Sequence, residues 1–193
     1  MGKFKRIETN FEGILKIRPT VFCDSRGSFV ETYNKMEMQE IGISDIFVQD
    51  NNSGSVKGVL RGLHFQSLHP QVKLVRVLCG EIYDVVVDLR NGSPTFGQHQ
   101  SFFLSAETQE MLYVPVGFAH GFLALSDGTV VQYKVTDYYF PQYDAGVIWN
   151  DASIGISWPL EEYGIKTPLV SEKDNLLPSL SQITSPFEYQ RMG

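Results

Sequence analysis

The sequence predicts a single all-β domain with a few short helices. Apolar residues recur mostly at every second position, which is the period of a strand with one buried face. Turn-forming residues separate these segments at intervals of roughly ten residues, as in antiparallel sandwiches and barrels. With 193 residues, the chain is long enough for one sizeable hydrophobic core and too short for two ordinary domains. We therefore expect one domain over residues 1–193.

The N-terminal part begins with two predicted strands, Leu15–Val21 and Gly27–Tyr33, in which apolar residues alternate with polar ones. The turn residues Asp24–Gly27 join these strands into a hairpin. A short helix is predicted at Asn34–Ile41, because Gly42 then provides a helix stop.

The rest of the chain continues as strands up to a less regular end. Turn residues such as Asn91–Pro94 and Ser126–Gly128 divide it into segments of strand length. After Asp174 the alternation is lost, and we expect this tail to lie over the surface as a helix or loops. The remaining predicted strands are Ile46–Asn52, Val59–Gln66, Lys73–Cys79, Glu81–Leu89, Gln98–Leu104, Met111–Val114, Gly121–Leu125, Thr129–Tyr139 and Ile154–Ser157.

Composition narrows the class of protein. A formal net charge of −6 argues against a protein that binds nucleic acid irrespective of sequence, because such a protein carries a basic excess. No apolar run reaches the length of a membrane span, and none follows the basic N-terminus as in a secretory signal. Cys23 and Cys79 lie far apart in strand-like runs without metal-type spacing. We therefore expect buried free thiols in a cytoplasmic protein.

The strand Val59–Gln66 contains Arg61, His64 and Gln66, and Lys73 opens the next strand. A polar group buried without a partner costs about 1–3 kcal/mol, so we interpret these residues as an enzyme pocket for an anionic ligand. The alternative is a histidine that a backbone carbonyl satisfies within the strand. Strict alternation puts Arg61 and His64 on opposite faces, and a bulge at Gly62 would re-aim one of them.

Three further segments contain candidate site residues. His120 lies in a Pro115–Phe122 segment of strand, bend and strand, and either functions in a site or closes a turn by hydrogen bonding. Tyr133 and Tyr139 share one face of a strand and either line a pocket or serve as packing residues. Asp174 lies in a polar segment that follows apolar residues. It either belongs to a site or lies in a solvated turn or at the start of a helix.

The hairpin around Arg26 places a guanidinium between aromatic residues, which suits phosphate and base of a nucleotide. Alone, it is no more than a hairpin. The four histidines include no pair separated by a single residue, which a metal site of the cupin sort usually needs. We therefore expect no tightly bound metal and no other cofactor.

Together these segments closely resemble the dTDP-4-dehydrorhamnose 3,5-epimerase family. The resemblance implies a cupin-type jelly roll without metal. It also implies a homodimer in which N-terminal strands of one subunit complete the pocket of the other. The matching segments are Asp24–Glu31, Arg61–Gln66, His69–Val75, Gly80–Arg90, Ser93–Gly97, Pro115–Phe122, Tyr133–Thr136 and Ser171–Asp174.

The resemblance further implies the substrate and the roles of the residues. The substrate would be dTDP-4-dehydro-6-deoxyglucose, with His64 as base, Asp174 as its carboxylate partner and Tyr133 as the acid on the opposite face. Lys73 and Arg61 would hold the oxyanion that develops on carbon 4. The nucleotide and diphosphate would be gripped by Phe22, Arg26, Phe29, Glu31, Gln49, Asn51 and Tyr139, with His120 and Asp84 in support.

Three alternatives to this function remain open from the residues. The closest is a relative that epimerises only one of the two carbons, and it would keep the same His, Asp and Tyr. A cupin module that binds a sugar nucleotide without turnover would need no acid and base pair. A metal-dependent cupin oxygenase would contain bound iron or another metal.

Overall fold

The computed structural model describes residues 2–190 of the chain. Two antiparallel sheets face each other. One has the strand order β1-β2-β10-β7-β12-β5, and the other has the order β13-β6-β11-β8-β9, with β14 beside β6. A separate two-stranded sheet, β3-β4, forms a hairpin. The strands are β1 (Phe4–Glu8), β2 (Leu15–Pro19), β3 (Val21–Asp24), β4 (Gly27–Val30), β5 (Gln49–Ser55), β6 (Val59–Gln66), β7 (Lys73–Cys79), β8 (Glu81–Asp88), β9 (His99–Ser105), β10 (Met111–Val114), β11 (Phe118–Ala124), β12 (Thr129–Val135), β13 (Asp144–Gly146) and β14 (Leu169–Val170).

Helices are short and few in the described part of the chain. Helix α1 spans Lys35–Glu40, and the side chain of Asn34 caps it by accepting from the backbone N–H groups of Met36 and Glu37. Helix α2 spans Glu172–Asn175 and is capped by Ser171. Two 3₁₀ turns, Pro141–Tyr143 and Leu180–Gln182, complete the helical structure.

The predicted all-β sandwich is confirmed, with differences at several ends. Val59–Gln66, Lys73–Cys79 and Met111–Val114 begin and end as predicted. Ile154–Ser157 is wrong as a strand, since this segment consists of turn and irregular backbone. The predicted strand from Thr129 ends at Val135, because Asp137 accepts from the next N–H and turns the chain.

Three apolar clusters hold the layers together. The cluster between the two sheets contains alternate residues of facing strands, such as Val75, Val86 and Val131. A second cluster lies outside the sheet that contains β6, β8 and β11, where the C-terminal part of the chain covers it. A third lies outside the sheet that contains β2, β7 and β10, beneath α1. The two sheets therefore enclose one interior, and residues at the end of this interior can form a pocket.

A bulge in β6 re-aims the pocket residues. His64 pairs with His120, but Arg61 pairs with Phe122. Over this interval β6 therefore has one residue more than its partner strand β11. The predicted bulge at Gly62 is confirmed, and Arg61 and His64 consequently face the same interior. A Cβ atom at Gly62, whose φ is +122°, would meet Gly121 Cα at 2.5 Å. The close approach of β6 and β11 therefore requires glycine here.

The two cysteines are free, as predicted, but both are exposed, so the prediction of buried thiols is wrong. Cys23 lies on the β3–β4 hairpin, whose strands pair with no other strand in the described part of the chain. Cys79 ends β7 just before Gly80, where the chain turns from one sheet into β8 of the other. Among the helices of residues 2–190, none is both long and apolar enough to cross a membrane.

The C-terminal tail docks onto the body of the protein. The backbone of Asn91 bonds to Phe187 and Tyr189 at 2.8 and 2.9 Å. The Ser185 hydroxyl donates to Leu89 O. The ring of Phe187 is buried edge-to-face on Phe65, with centroids 5.6 Å apart. These contacts make the tail part of the packed fold.

Replacing Phe187 should therefore destabilise the protein. We expect Phe187→Ala to lower the free energy of unfolding by about 3 kcal/mol, because a large buried ring leaves a cavity. Urea unfolding at fixed protein concentration measures this. Leu176→Ala is the matched control, since Leu176 is 83% exposed and should change stability by no more than about 0.5 kcal/mol. Equal effects of the two variants would mean that the tail is not docked.

Candidate active site

A cavity of about 530 Å³ opens between the two sheets at one end of the sandwich. Its walls come from both sheets, from α2 and from the loop after β12. It brings together many of the residues that the sequence predicted for the site. Those predicted residues are Gln49, Asn51, Arg61, His64, Lys73, His120, Tyr133, Tyr139 and Asp174.

His64 and Asp174 form a pair across 110 positions of the chain. The His64 Nε2 atom lies 2.8 Å from Asp174 Oδ1. The other carboxylate oxygen accepts from the backbone N–H of Gly62 at 3.2 Å. The cap of α2, in which Asp174 N–H donates to Ser171 Oγ at 3.1 Å, fixes the carboxylate in place. The arrangement orients the imidazole from a buried and fully held carboxylate.

The charge of this pair follows from its surroundings. Burial raises the pKa of Asp174, but the hydrogen bond and charge of His64 and the Gly62 N–H outweigh burial and lower that pKa overall. An ionised carboxylate can only accept, so Nε2 of His64 carries the hydrogen. In the neutral imidazole, Nδ1 then has a lone pair, and it has no hydrogen-bond partner among residues 2–190. Such an imidazole can remove a proton from a molecule in the cavity.

Tyr133 projects into the cavity from the opposite sheet. It lies on β12 between the buried residues Val131 and Val135, and its side chain faces the same interior as theirs. Burial raises the pKa of Tyr133, a nearby Arg61 opposes this shift and a nearby Asp144 adds to it. The hydroxyl therefore stays protonated at neutral pH and can donate a proton.

Lys73 lies at the start of β7 on the same wall as Tyr133. Its Nζ donates to the backbone oxygen of His64 at 3.3 Å. Burial lowers the pKa of Lys73 to about 8, although Asp84 and Asp144 pull it in the other direction. The side chain is therefore an ammonium at neutral pH and close to losing its proton.

A second histidine and carboxylate lie beneath the cavity. His120 Nε2 is 2.8 Å from Asp84 Oδ2, and both side chains are buried. The other Asp84 oxygen has no hydrogen-bond partner among residues 2–190. The alternative of a turn-closing role is wrong for His120, which sits within the strand β11.

Asp144 is a pocket residue that the sequence did not reveal. Its Oδ2 accepts from the Tyr139 hydroxyl at 3.0 Å and from Lys173 Nζ. It enters the cavity because β13 pairs with the end of β6, placing Asp144 opposite Gln66. No sequence pattern marks a three-residue strand of this kind.

Arg61 lines the cavity beside the strand β5. Its Nη2 donates to Gly54 O at 3.1 Å, and its Nε donates to Ser55 Oγ at 3.3 Å. Gln49 and Asn51 are joined by a 2.9 Å hydrogen bond on the same strand. Within residues 2–190, no three His, Cys, Asp or Glu side chains converge in an arrangement that could hold a metal ion.

Four predicted site residues lie away from the cavity. Phe22, Arg26 and Phe29 are on the β3–β4 hairpin, where the two rings are 51% and 69% exposed. Arg26 pairs with Asp24 at 2.6 Å. Glu31 follows the hairpin and pairs with Lys3 at 2.5 Å. Within one chain, the structure does not bring these residues to the site.

Comparisons with known proteins agree with this geometry. Residues 8–182 match the family model described as dTDP-4-dehydrorhamnose 3,5-epimerase. The protein of that name from Methanothermobacter thermautotrophicus is 52% identical over 174 residues, covering 90% of this chain and 93% of that one. A crystal structure from Bacillus anthracis with TDP and PPi bound is 47% identical, has a TM-score of 0.87, and covers 92% of this chain and 99% of that one.

A further solved structure is the epimerase from Legionella pneumophila in complex with dTDP-4-keto-L-rhamnose. It is 42% identical with a TM-score of 0.92, covering 97% of this chain and 100% of that one. The match spans the strands, the cavity and α2. The chain therefore belongs to the dTDP-4-dehydrorhamnose 3,5-epimerase family of isomerases.

Proposed function

We propose that this protein epimerises carbons 3 and 5 of dTDP-4-dehydro-6-deoxyglucose, giving dTDP-4-dehydrorhamnose. The observation that carries the proposal is that His64 and Tyr133 project from opposite sheets into one cavity. Epimerisation needs a base on one face of the sugar and a donor on the other. Family membership supports this substrate and product, because one relative is named for dTDP-4-dehydrorhamnose and another for dTDP-6-deoxy-D-glucose.

The chemistry begins with the ketone at carbon 4. Hydrogens on the adjacent carbons 3 and 5 are the only ring hydrogens acidic enough for an unaided side chain to remove. His64 takes such a proton as general base, and Asp174 stabilises the imidazolium that forms. The electron pair of the broken C–H bond moves into an enolate, and Tyr133 returns a proton to carbon from the opposite face. The centre is thereby inverted. Once water has taken the proton from His64 and returned one to Tyr133, the same steps at the second carbon complete the reaction.

The enolate needs a cation beside its oxygen. The Lys73 ammonium and the Arg61 guanidinium both line the cavity. Because the cavity holds them in place before the reaction, they need no reorganisation as charge develops on the carbon 4 oxygen. Such preorganised contacts are worth about 3–4 kcal/mol in oxyanion holes.

This role of Lys73 predicts the alkaline side of the pH profile. As pH rises through the pKa of Lys73 at about 8, the ammonium becomes a neutral amine and the enolate loses its cation. We expect kcat/KM to fall with an apparent pKa of about 8. Tyr133 cannot cause this fall, because burial moves its pKa upward.

Steady-state rates across the pH range, for wild type and Lys73→Arg, measure this effect. The arginine keeps its charge to much higher pH, so its alkaline limb should move upward by more than one pH unit. An alkaline limb that stays in place in Lys73→Arg would show that another group sets it.

We propose further that the protein is a homodimer and that the β3–β4 hairpin of one subunit completes the cavity of the other. The hairpin exposes two large aromatic rings and a guanidinium, yet within residues 2–190 it pairs with no strand other than its own two. Arg26 would then reach the diphosphate in the partner's cavity, with Phe22 and Phe29 near the base. The partners are thus the dTDP-sugar and a second copy of the chain, with neither nucleic acid nor membrane. Free cysteines also favour a cytoplasmic location.

Mixed dimers test the hairpin exchange. His64→Ala and Arg26→Ala homodimers should each be nearly inactive. Co-expression of the two chains with different tags should restore activity, since one cavity of the mixed dimer combines an intact His64 with an intact Arg26. If Arg26 served its own chain's cavity, both cavities of the mixed dimer would remain defective and no activity would return.

The stereochemistry of the product tests the proposed reaction. Proton NMR should show dTDP-4-dehydro-6-deoxyglucose converting to a sugar in which both carbon 3 and carbon 5 are inverted. Inversion at one carbon alone would assign the protein to the single-carbon epimerases. Binding of the nucleotide sugar without any conversion would leave only a recognition role.

A further inference from the structure

The loop after β12 carries Tyr139, whose side chain is 49% exposed and lines the cavity. This loop belongs to no strand or helix. Its backbone groups on both sides of Tyr139 therefore need partners from elsewhere. Two glutamine side chains, rather than backbone groups, provide these hydrogen-bond partners.

Gln66 provides most of these contacts. Its Nε2 donates to Tyr138 O at 3.1 Å, and its Oε1 accepts from Phe140 N–H at 2.6 Å. The remaining backbone group is the N–H of Tyr139, which donates to Gln49 Oε1 at 3.2 Å. Tyr138 O, Tyr139 N–H and Phe140 N–H are thus all held by side-chain amides.

The amide of Gln66 also reaches a second loop. Its Nε2 donates to His69 O at 2.7 Å, so one side chain joins the loop after β6 to the loop after β12. Gln66 is only 5% exposed, and both its N–H groups and its oxygen are engaged. It shares the inward face of β6 with His64 but takes no part in the proton transfers described above.

We propose that Gln66 is a positioning residue that fixes Tyr139 over the nucleotide part of the substrate. This inference rests on the proposed function, in which Tyr139 contacts the nucleotide and diphosphate. Without the amide, Tyr138 O, Phe140 N–H and His69 O would lose a buried partner and the loop would move to regain one. Gln66 therefore determines affinity for the nucleotide, whereas the base, the acid and the oxyanion contacts stay in place.

Gln66→Met tests this role, since methionine fills a similar volume without hydrogen bonds. The probe is dTDP, measured by calorimetry. We expect its Kd to rise about tenfold, KM to rise similarly and kcat to stay within about twofold. The matched control is Gln100→Met on β9, outside the cavity, which should leave Kd and KM unchanged. If Gln66→Met does not fold, Gln66→Glu replaces it, because it keeps the length and the acceptor but loses both donors.

A double variant separates positioning from direct contact. In a Tyr139→Ala background, Gln66→Met should not raise the Kd of dTDP any further, because the positioned ring is already absent. Two effects that multiply, or a fall in kcat at unchanged KM, would overturn the role of Gln66. So would an unchanged Kd in Gln66→Met when the wild type binds dTDP. Failure of the wild type to bind dTDP would instead overturn the proposed function, and the role of Gln66 with it.

Discussion

The His64→Ala variant is expected to lower kcat by about 10²–10⁴-fold, which is the range that a positioned general base contributes. The Kd for dTDP should stay nearly unchanged. His64 touches Asp174 and faces the cavity, whereas the residues proposed to hold the nucleotide, such as Gln49 and Tyr139, lie on other elements. Single-turnover rates and calorimetry with dTDP measure the two quantities separately.

Asp84→Asn is a useful comparison for this variant, since it changes the other buried histidine and carboxylate pair of the cavity. It leaves the pair of His64 and Asp174 intact, so its loss of kcat should be smaller. The opposite result, in which His64→Ala loses dTDP binding and folded structure together, would make His64 a ligand contact or core residue. The proposed mechanism would then have no base.

Tyr133→Phe is expected to separate proton removal from inversion. The hydroxyl is the proposed donor on the face opposite His64, and phenylalanine keeps the ring that packs against the apolar cluster between the sheets. Proton removal by His64 should continue. The enolate should then regain a proton on the same face from which His64 removed it. In heavy water, the substrate should take up deuterium at one carbon with its configuration retained, while the rate of inversion falls by about 10²–10⁴-fold.

NMR of the recovered sugar distinguishes exchange from inversion in one experiment. The unmodified Tyr133 enzyme provides the reference ratio of the two rates. Equal losses of exchange and inversion in Tyr133→Phe would show that the tyrosine does not act as the acid. It would then contribute to binding or to the stability of the enolate.

The strands were predictable where alternation and turns agree. Val59–Gln66 and Lys73–Cys79 alternate and are bounded by turn-forming residues, so their ends were predicted correctly. The short strands β13 and β14 were missed, because their pairing with β6 comes from tertiary contacts and not from a local pattern. Tertiary context also ended the strand of Tyr133 earlier than its alternation suggested.

The candidate site was predictable only in part. The glycine between Arg61 and His64 suggested a bulge that would turn one of them, and the pairing of β6 with β11 in the structure shows that bulge. The pairing of His64 with Asp174 spans most of the chain, and only the family resemblance suggested it. Asp144 gave no signal of a role, because it acts through contacts that no periodicity describes. Gln66 stood out as a polar residue in a buried strand, but its contacts with the loop after β12 could not be predicted.

The residues of the β3–β4 hairpin could not be placed in the site from one chain. Phe22, Arg26 and Phe29 were predicted for the site from resemblance, and within one chain they lie on an exposed hairpin. Local sequence describes the hairpin but not the second subunit that it would contact. Their place in the site therefore stays a prediction, which the mixed dimers test.

Deuterium labelling of the wild-type protein tests the central claim most directly. The purified protein is incubated in heavy water with dTDP-4-dehydro-6-deoxyglucose, and the recovered sugar is analysed by mass spectrometry and NMR. Proton removal at both carbons next to the ketone predicts two deuterium atoms, on carbons 3 and 5, with both centres inverted. A product that carries no deuterium, or unchanged substrate with nucleotide still bound, would contradict acid–base epimerisation through an enolate at this site.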